Sequence, residues 1–323
     1  MTVLAKEHFF RISNAATSRE LFKVSVHRVM VETSSFCNRR CSYCPNAIVD
    51  RISSRNYMSD ALRDKIAKGL AEIDYDGTIV FHFYNEPLAD ERICEQVAFF
   101  SQACPKAKLE MYSNGDYLNA DYLKRLREAG LTSLCLSMHL GNDAEWDDAE
   151  IISRISLLSV KIGAPAKINT FLSGQAVLAR FSDPKINITL RHLNYTAIGG
   201  SDRAGSLENI KMVPKTAEQG YVCLIPFNEF YVAWDGSIVP CCDVHPDVPE
   251  HQKYKIGNLA EYPDIFSAYS NSTLVDWRRS LADPMGLKPP CDTCQSKCHS
   301  PGTGKVLHDF YSQHVPNELQ RVG

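Results

Sequence analysis

The sequence is short of several features that would assign it to other classes of protein. It has no uninterrupted apolar run long enough to span a membrane. Its 35 basic and 38 acidic side chains give a net charge of −3, so no basic field exists to hold nucleic acid. Residues 1–13 lack the apolar core and small-residue cleavage site of a secretion signal. These absences predict a cytoplasmic protein with neither a membrane nor a nucleic acid as partner.

Cysteine, in contrast, is abundant. Twelve cysteines in a reducing compartment indicate metal binding or catalysis better than a disulfide scaffold. They form two groups near opposite ends of the chain, with three isolated thiols between that we interpret as small core hydrophobes. The first group is Cys37, Cys41 and Cys44; the isolated thiols are Cys94, Cys104 and Cys135; the second group is Cys223, Cys241, Cys242, Cys291, Cys294 and Cys298.

Short apolar runs alternate with helical patterns from residue 26 to residue 193. Helical patterns separate most of these runs, and one of them ends at Gly130, a good residue to terminate a helix. Six β-then-α units predict an α/β fold with a parallel sheet and crossover helices, while the pattern alone leaves open whether the sheet closes. The predicted strands are 26–33, 78–84, 107–113, 133–139, 167–172 and 186–193.

The alternation stops after residue 200. A polar connection leads into a predicted hairpin with Asp235-Gly236 at its turn, followed by short helices among Pro, Asn and Asp residues. We therefore expect two domains, 1–205 and 206–323, with the second formed by a β-hairpin and short helices.

The first cysteine group has the spacing C-x3-C-x2-C and directly follows the first predicted strand. Barrel folds keep their chemistry at this end of a strand, and thiolates are soft ligands for zinc or iron–sulfur clusters. Three thiolates can hold three irons of a [4Fe–4S] cluster and leave the fourth iron open. A zinc site without its fourth ligand, or three buried thiols, is the alternative.

This spacing, with Tyr43 before the last cysteine, resembles the radical S-adenosylmethionine (SAM) enzymes. The resemblance implies a partial (β/α)6 TIM-like barrel in which the open iron binds the amino and carboxylate groups of SAM. In that family the reduced cluster cleaves SAM to a 5′-deoxyadenosyl radical, which removes a hydrogen atom from a C–H bond.

The same resemblance implies a set of SAM contacts at the ends of successive strands. In YNEPL only Glu86-Pro87 fits the family's GGE-type motif cleanly, because Tyr84 and Asn85 replace its two glycines. Structural alternatives are a helix cap at Glu86, an ordinary turn after Asn114, a satisfied buried serine and a surface ion pair of the arginine. The implied contacts are Tyr43, Asn85, Glu86, Asn114, Ser137 and Arg191.

The second cysteine group resembles the SPASM/twitch extension that follows the barrel in many radical SAM enzymes. Its C-x2-C-x3-C ending departs from the seven-cysteine SPASM pattern and favours the shorter twitch version with one auxiliary [4Fe–4S] cluster. A zinc ribbon is the alternative. The implied ligands are Cys223, Cys241, Cys291 and Cys294, with Cys298 as a possible substitute.

The combination resembles aminocyclitol dehydrogenases and the epimerases of sugars and aminoglycosides. It implies dehydrogenation or epimerisation of a carbinol carbon in a sugar or aminocyclitol, with a flavodoxin- or ferredoxin-type reductant. Dehydrogenation needs a base and an electron acceptor, and epimerisation needs a thiol that returns a hydrogen atom. The catalytic candidates are Cys242, Cys298 and Arg203, with His139 and Asp243 as further contacts.

Two other readings stay open from the sequence. One is a radical SAM maturase that epimerises, crosslinks or oxidises a ribosomally made peptide. The other is a noncatalytic iron–sulfur or zinc-binding protein, for which Asp50 is the nearest acid to complete the first cysteine group.

Overall fold

The computed structural model describes residues 4–139, 141, 145–211, 223–282, 287–294 and 303–316. These residues form ten β-strands and ten α-helices, with short 3₁₀ turns between them. The strands are β1 Arg28–Val31, β2 Thr78–Val80, β3 Lys108–Ser113, β4 Ser133–Ser137, β5 Ala166–Leu172, β6 Ala176–Phe181, β7 Asn187–Leu193, β8 Glu229–Val232, β9 Ser237–Val239 and β10 Gly257–Asn258. The helices are α1 Ala15–Ser25, α2 Asp60–Glu72, α3 Ile93–Ala103, α4 Ala120–Ala129, α5 Asp148–Ile162, α6 Tyr195–Ile198, α7 Ile225–Asn228, α8 Ile265–Tyr269, α9 Ser272–Ala282 and α10 Thr303–His314.

All of these strands join one sheet in the order β10-β9-β8-β1-β2-β3-β4-β7-β6-β5. The central six, from β8 to β7, run parallel to one another. The strands at both edges are antiparallel: β9 and β10 on one side, β6 and β5 on the other. The predicted α/β class is confirmed.

The structure corrects the prediction of six consecutive β-then-α units. Four units are present, β1 to β4, and the predicted strand 167–172 is β5, an antiparallel edge strand. Only residues 173–175 separate β5 from β6, which the sequence analysis did not predict, and Gly174 takes a left-handed φ of 70° in that turn. A parallel neighbour needs a crossover of a dozen or more residues, so this short connection forces a hairpin.

The remaining parallel position is filled from the far end of the chain. β8, the first strand of the predicted hairpin, pairs in parallel with β1, and Arg28 faces Glu229 in the register. The hairpin itself is present, with Gly236 at a left-handed φ of 84°. The expected domain boundary near residue 205 stays a prediction.

Side chains alternate between two faces of the sheet, as the pleat requires. The outer face lies under the helices and forms the large apolar core, with Val29 of β1, Ile79 of β2 and Leu109 of β3 all buried. The opposite, inner face carries a smaller apolar group that we call the inner cluster. Its buried members are Met30, Val80, Phe83, Tyr84, Ile225, Tyr231, Val239 and Val244.

Cysteines from both groups pack against the inner cluster. They are Cys44 of the first group and Cys223, Cys241 and Cys242 of the second. The sheet thus brings together two parts of the chain that are about 180 residues apart. Within the described residues, no helix has the length and apolarity needed to cross a membrane.

Candidate active site

The first cysteine group lies on a loop that hydrogen bonds hold in shape. The Cys37 amide donates to the Arg51 carbonyl at 3.0 Å, and the Cys44 amide donates to the Cys41 carbonyl at 2.9 Å. Pro45 then begins a short 3₁₀ turn, whose Ala47 amide donates back to the Cys44 carbonyl at 2.9 Å. All three cysteines are thiols, each only partly exposed.

The pKa values of these three thiols are compatible with binding to iron cations. Burial raises the pKa of Cys37 to about 12 and raises the pKa values of Cys41 and Cys44 as well. The Asn46 amide and nearby Arg203 oppose the rise of the Cys44 pKa. A bound cation deprotonates a coordinating thiol outright, so iron would stabilise thiolates that burial alone disfavours. In the described part of the chain, no three His, Cys, Asp or Glu side chains form a site for a single metal ion.

Asp50 does not complete this group. Its carboxylate accepts from the amides of Ile52 and Ser53, both at 3.0 Å, and pairs with Arg40 at 3.2 Å. The side chain is exposed on its own turn. The open fourth position beside the three cysteines stays a prediction.

The cysteine loop is clamped to the ends of β3 and β4. Arg39 makes a two-point pair with Asp116, at 2.7 Å from Nε and 2.5 Å from Nη2. Arg39 Nη1 also donates to the His139 carbonyl at 3.2 Å. Asn38 adds two bonds, donating to Asp116 at 2.7 Å and accepting from Asn114 at 2.8 Å. The sequence analysis missed Asp116, because its partners lie more than 70 residues away in the chain.

Glu86 is buried and fully engaged with the protein. Its carboxylate accepts from the Leu88 amide at 3.0 Å, the Ser113 hydroxyl at 2.7 Å and the Asn114 amide at 2.7 Å. Burial outweighs these donors and raises the pKa of Glu86 to about 7. The bond from the Leu88 amide caps the 3₁₀ turn Pro87–Ala89. This is the helix cap that was considered for Glu86 as the structural alternative to a SAM contact.

Asn85 presents a donor without an acceptor. Its side-chain oxygen accepts from the Phe83 amide at 3.1 Å, but its Nδ2 is buried and has no partner among the described residues. A buried amide left without a partner costs free energy. An acceptor on a bound cofactor or substrate would satisfy it, so this position fits a ligand-binding role.

Ser137 and Arg191 lie side by side on β4 and β7. Arg191 Nε donates to Ser137 Oγ at 3.0 Å, and the guanidinium lies 5.6 Å from the centre of the Tyr112 ring. Arg191 forms no ion pair within the part of the chain that the structure describes. The surface ion pair considered above is therefore absent there, and the guanidinium can meet a ligand carboxylate or oxyanion.

His82 is an inner-face residue that the sequence analysis missed. Its ring lies 5.5 Å from that of Tyr112, and Arg191 and Arg203 are its charged neighbours. Burial and these two guanidiniums lower the pKa of His82 to about 3, so the imidazole is neutral at physiological pH. Alternation along β2 was the available signal, because Val80 packs in the inner cluster and His82 lies two residues further.

The isolated cysteines do not all behave as predicted. Cys104 is buried in the outer core and Cys94 packs against it, as expected of small hydrophobes. Cys135 is different: it is only partly buried, and its register partners are Tyr112 on β3 and Thr189 on β7. Its neighbour Leu134 faces the outer core, so the strand's alternation turns Cys135 to the inner face.

The second cysteine group gathers around the turn that follows β9. Burial raises the pKa of Cys241, and the charges of Cys242, Asp243 and Cys291 add to that rise. Cys294 Sγ lies 3.8 Å from an oxygen of Asp243. With Cys223 on the same inner cluster, the four predicted ligands occupy one region, while Cys298 lies outside the described residues.

Arg203, a catalytic candidate from the sequence, lies in the connection that follows α6. Its Nη1 donates to Asp243 at 3.0 Å, and Ser201 donates to the other oxygen of that carboxylate at 3.0 Å. Arg203 has a left-handed φ of 52°, which is uncommon for a residue with a side chain. Tyr84, Cys44 and Cys242 all affect its pKa, so the guanidinium lies between the two cysteine groups.

A cavity of about 1100 Å³ opens beside the first cysteine loop. Tyr43 lines it, stacks on Tyr195 at 4.3 Å between ring centres and hydrogen-bonds His139. Burial and Arg39 lower the pKa of His139 to about 3. Residues 205–211 form part of the opposite wall, whereas Arg203 does not line this cavity.

Two family models and two known proteins match parts of this chain. The Radical SAM superfamily model matches residues 31–156, and the SPASM iron–sulfur cluster-binding domain matches residues 223–299. The S-adenosyl-L-methionine-dependent 2-deoxy-scyllo-inosamine dehydrogenase of Niallia circulans is 27% identical over 268 residues, or 83% of this chain and 91% of that protein. The GTP 3′,8-cyclase of Nautilia profundicola is 25% identical and covers 76% of this chain and 89% of its own.

The fold resembles that of a solved relative. The crystal structure of BtrN in complex with AdoMet and 2-DOIA has a TM-score of 0.59 and 25% sequence identity, and it covers 84% of this chain and 93% of its own. The fold and the cysteine loop therefore define the class: this chain is a radical SAM enzyme. More narrowly, it carries a C-terminal SPASM domain and resembles an aminocyclitol dehydrogenase.

The two matched domains identify the cofactors. They are SAM, a SAM-binding [4Fe–4S] cluster and auxiliary iron–sulfur chemistry in the C-terminal domain. The noncatalytic and zinc-binding alternatives are left without support.

Proposed function

We propose that this enzyme dehydrogenates a carbinol carbon of an aminocyclitol or a related amino sugar. The observation that carries the proposal is the inner cluster, against which cysteines of both groups pack at the inner face of the sheet. A substrate held there would lie between the site that removes a hydrogen atom and the site that removes an electron. The likeness to a 2-deoxy-scyllo-inosamine dehydrogenase supports the same substrate class.

The residues divide into two ligand sets and one set of SAM contacts. Cys37, Cys41 and Cys44 would hold the SAM-binding cluster. Cys223, Cys241, Cys291 and Cys294 would hold the auxiliary cluster, with Cys298 as the possible substitute. The SAM contacts would be Tyr43, Asn85, Glu86, Asn114, Ser137 and Arg191.

The protein's own groups then handle charge and protons. When bound, SAM and the clusters supply the hydrogen-atom acceptor and the electron acceptor. Arg191 binds a carboxylate or oxyanion with its guanidinium, and the Nδ2 of Asn85 donates to a ligand acceptor. Because its pKa is lowered to about 3, the neutral ring of His82 would take the hydroxyl proton only as the carbonyl forms, when that proton is strongly acidic. Arg203 would orient the substrate from the side of the second cysteine group. A flavodoxin- or ferredoxin-type donor in the cytoplasm would supply the reducing electron.

The test uses anaerobically reconstituted protein with dithionite, SAM and 2-deoxy-scyllo-inosamine deuterated at the carbinol carbon. We expect equal amounts of 5′-deoxyadenosine and ketone, with deuterium in the 5′-deoxyadenosine. About eight irons per chain are expected for two [4Fe–4S] clusters. Formation of 5′-deoxyadenosine only in the presence of a peptide would instead indicate a peptide maturase.

Cys41→Ala provides the matched variant. It should abolish 5′-deoxyadenosine formation and lower the iron content by about four per chain, because only the first cluster loses a ligand. Continued 5′-deoxyadenosine formation by this variant would refute the assignment of the SAM-binding cluster.

Epimerisation is the second candidate, and one observation favours it. Cys135 places a thiol on the inner face. It is a further candidate in addition to Cys242 and Cys298, which were named from the sequence. Epimerisation would put solvent deuterium on the inverted carbon without net ketone, and Cys135→Ala would stop that incorporation. Ketone without solvent deuterium in recovered substrate would exclude this second function.

A further inference from the structure

Tyr84 touches both cysteine loops at once. Its hydroxyl donates to the Cys242 carbonyl at 2.7 Å, next to the predicted auxiliary ligand Cys241. Its own carbonyl accepts from Asn46 Nδ2 at 2.8 Å, two residues after Cys44. Its side chain is only 7% exposed, so these bonds are shielded from water. Tyr84 therefore joins the two loops through the hydrogen bonds of its hydroxyl and its carbonyl.

A buried histidine forms a second contact between the same two loops. His245 lies with its ring 4.1 Å from that of Tyr84, and its Nε2 is 3.2 Å from Asn46 Oδ1. The Asp247 amide donates to His245 Nδ1 at 3.0 Å, so the ring proton must be on Nε2 and point at Asn46. Burial lowers the pKa of His245, which keeps this neutral tautomer. Each donor in this second contact therefore faces an acceptor.

The backbone of Tyr84 is fixed as well. Its amide donates to Glu32 Oε1 at 3.0 Å, and Glu32 is itself paired with Arg51 at 2.8 Å. Glu32 and Arg51 are 0% and 1% exposed at their side chains. Tyr84 is therefore held at its amide, carbonyl, ring and hydroxyl.

We propose that Tyr84 is a positioning residue that fixes the spacing between the SAM-cluster loop and the auxiliary-cluster loop, so that ketone formation depends on its hydroxyl. The inference rests on the proposed dehydrogenation, in which the substrate loses a hydrogen atom on one side and an electron on the other. The auxiliary iron–sulfur cluster, held by the second cysteine group, would be the oxidant that takes one electron; the hydroxyl proton would pass to the protein as the carbonyl forms. Electron transfer weakens steeply with distance, so a loosened auxiliary loop slows this step without touching hydrogen abstraction.

Tyr84→Phe is the variant that tests this role, since it removes one oxygen and keeps the ring. We expect 5′-deoxyadenosine formation to stay within about twofold of the wild type. The ketone formed per 5′-deoxyadenosine should fall at least about fivefold, the factor that one hydrogen bond is typically worth. The electron paramagnetic resonance (EPR) spectrum and midpoint potential of the auxiliary cluster should shift, while the SAM-induced change at the first cluster stays as in the wild type.

Tyr75→Phe is the matched control. Tyr75 is also buried, and its hydroxyl lies 3.4 Å from the Thr78 carbonyl, but it packs in the outer core away from both cysteine loops. This control should keep the wild-type ratio of ketone to 5′-deoxyadenosine and the wild-type auxiliary spectrum.

Asn46→Ala, alone and combined with Tyr84→Phe, provides a second test. Both changes act on one connection, so their effects on the product ratio should be less than additive. Loss of about four irons from Tyr84→Phe, with SAM cleavage retained, would also support the role. Wild-type product ratio and auxiliary spectrum in Tyr84→Phe, additive effects in the double variant, or loss of both clusters would each overturn it. The spectrum and potential need no substrate, so they decide on Tyr84 even if the wild type makes no ketone.

Discussion

At the scale of single residues, the sequence was informative where spacing alone carries the chemistry. The three cysteines of the first group follow β1 as predicted, and Glu86 follows β2. What spacing does not show is which partner completes a side chain. Asp116, His82 and the hydroxyl of Tyr84 acquire their roles from residues 50 to 160 positions away. No local pattern records such pairs.

Glu86 leads to a prediction about pH. Its pKa is raised to about 7 in the folded protein, above the value near 4.3 of an unfolded glutamate. A raised pKa means that the folded state holds the proton more tightly, so this group's contribution to stability is complete below about pH 4.3 and is lost as pH rises through 7. We expect the melting temperature of the wild type to fall from pH 5 to pH 8 for this reason.

Glu86→Gln should remove that part of the slope, because the amide does not titrate. The variant should also be less stable at pH 6 by about 1–3 kcal/mol, because an amide nitrogen cannot accept the Asn114 N–H, whereas either oxygen of the protonated carboxyl can. Differential scanning fluorimetry from pH 5 to pH 8 measures both effects. Equal slopes in the two proteins would mean that Glu86 does not titrate between pH 5 and pH 8.

At the scale of secondary structure, the sequence predicted helices and parallel strands well and failed at one turn. The runs KINTFL and AVLARF are separated by only a few residues that include Gly174, which is a hairpin signal. The repeated β-then-α pattern earlier in the chain favoured a helix after the first run. The second run, AVLARF, was therefore not predicted as a strand. Neither edge pairing nor the parallel contact of β8 with β1 can be read from local periodicity.

The clamp between the first cysteine loop and the end of β3 supports a prediction at this scale. Asp116→Asn removes the charge of a two-point pair in which both side chains are about 30% exposed, at 27% for Arg39 and 33% for Asp116. Because solvent screens such a pair, we expect a loss of only about 1 kcal/mol in stability. The larger effect should be faster loss of about four irons to a chelator, since the loop that holds them is released.

Asp74→Asn is the control for that experiment. Asp74 pairs with Lys106, but both side chains are more than half exposed and the pair lies outside the site. Thermal unfolding and timed iron release compare the two variants. Equal rates of iron release from both would show that the Arg39 pair does not hold the cysteine loop.

At the scale of the whole molecule, the two ends of the chain are built into one structure. β8 extends the sheet that β1 begins, and Phe9 packs in a buried cluster with Leu307 and Tyr311. A predicted boundary near residue 205 describes the change in sequence pattern, but the contacts run across it. These long-range contacts depend on three-dimensional closure, so sequence composition could not have located them.

Arg51 connects the first cysteine loop to the C-terminal region. It follows the first cysteine group, and its guanidinium pairs with Glu32 at 2.8 Å and with Asp247 of the C-terminal region at 2.7 Å. Glu32 also accepts from the Trp234 amide at 3.3 Å, so one carboxylate joins β1, the cysteine loop and the segment after β8. The Arg51 side chain is 1% exposed and that of Glu32 is 0% exposed, which means that water cannot replace either partner.

Arg51→Met should therefore destabilise the whole molecule and not only the loop. It leaves the Glu32 carboxylate buried without its cation, a change that typically costs about 3–5 kcal/mol. Arg154→Met removes an exposed pair with Glu150 and should cost about 0–1 kcal/mol. Urea unfolding followed by tryptophan fluorescence measures both, because Trp234 lies beside Glu32 and reports on that junction. A stability loss in Arg51→Met no larger than that in Arg154→Met would show that the two regions are held together by apolar packing alone.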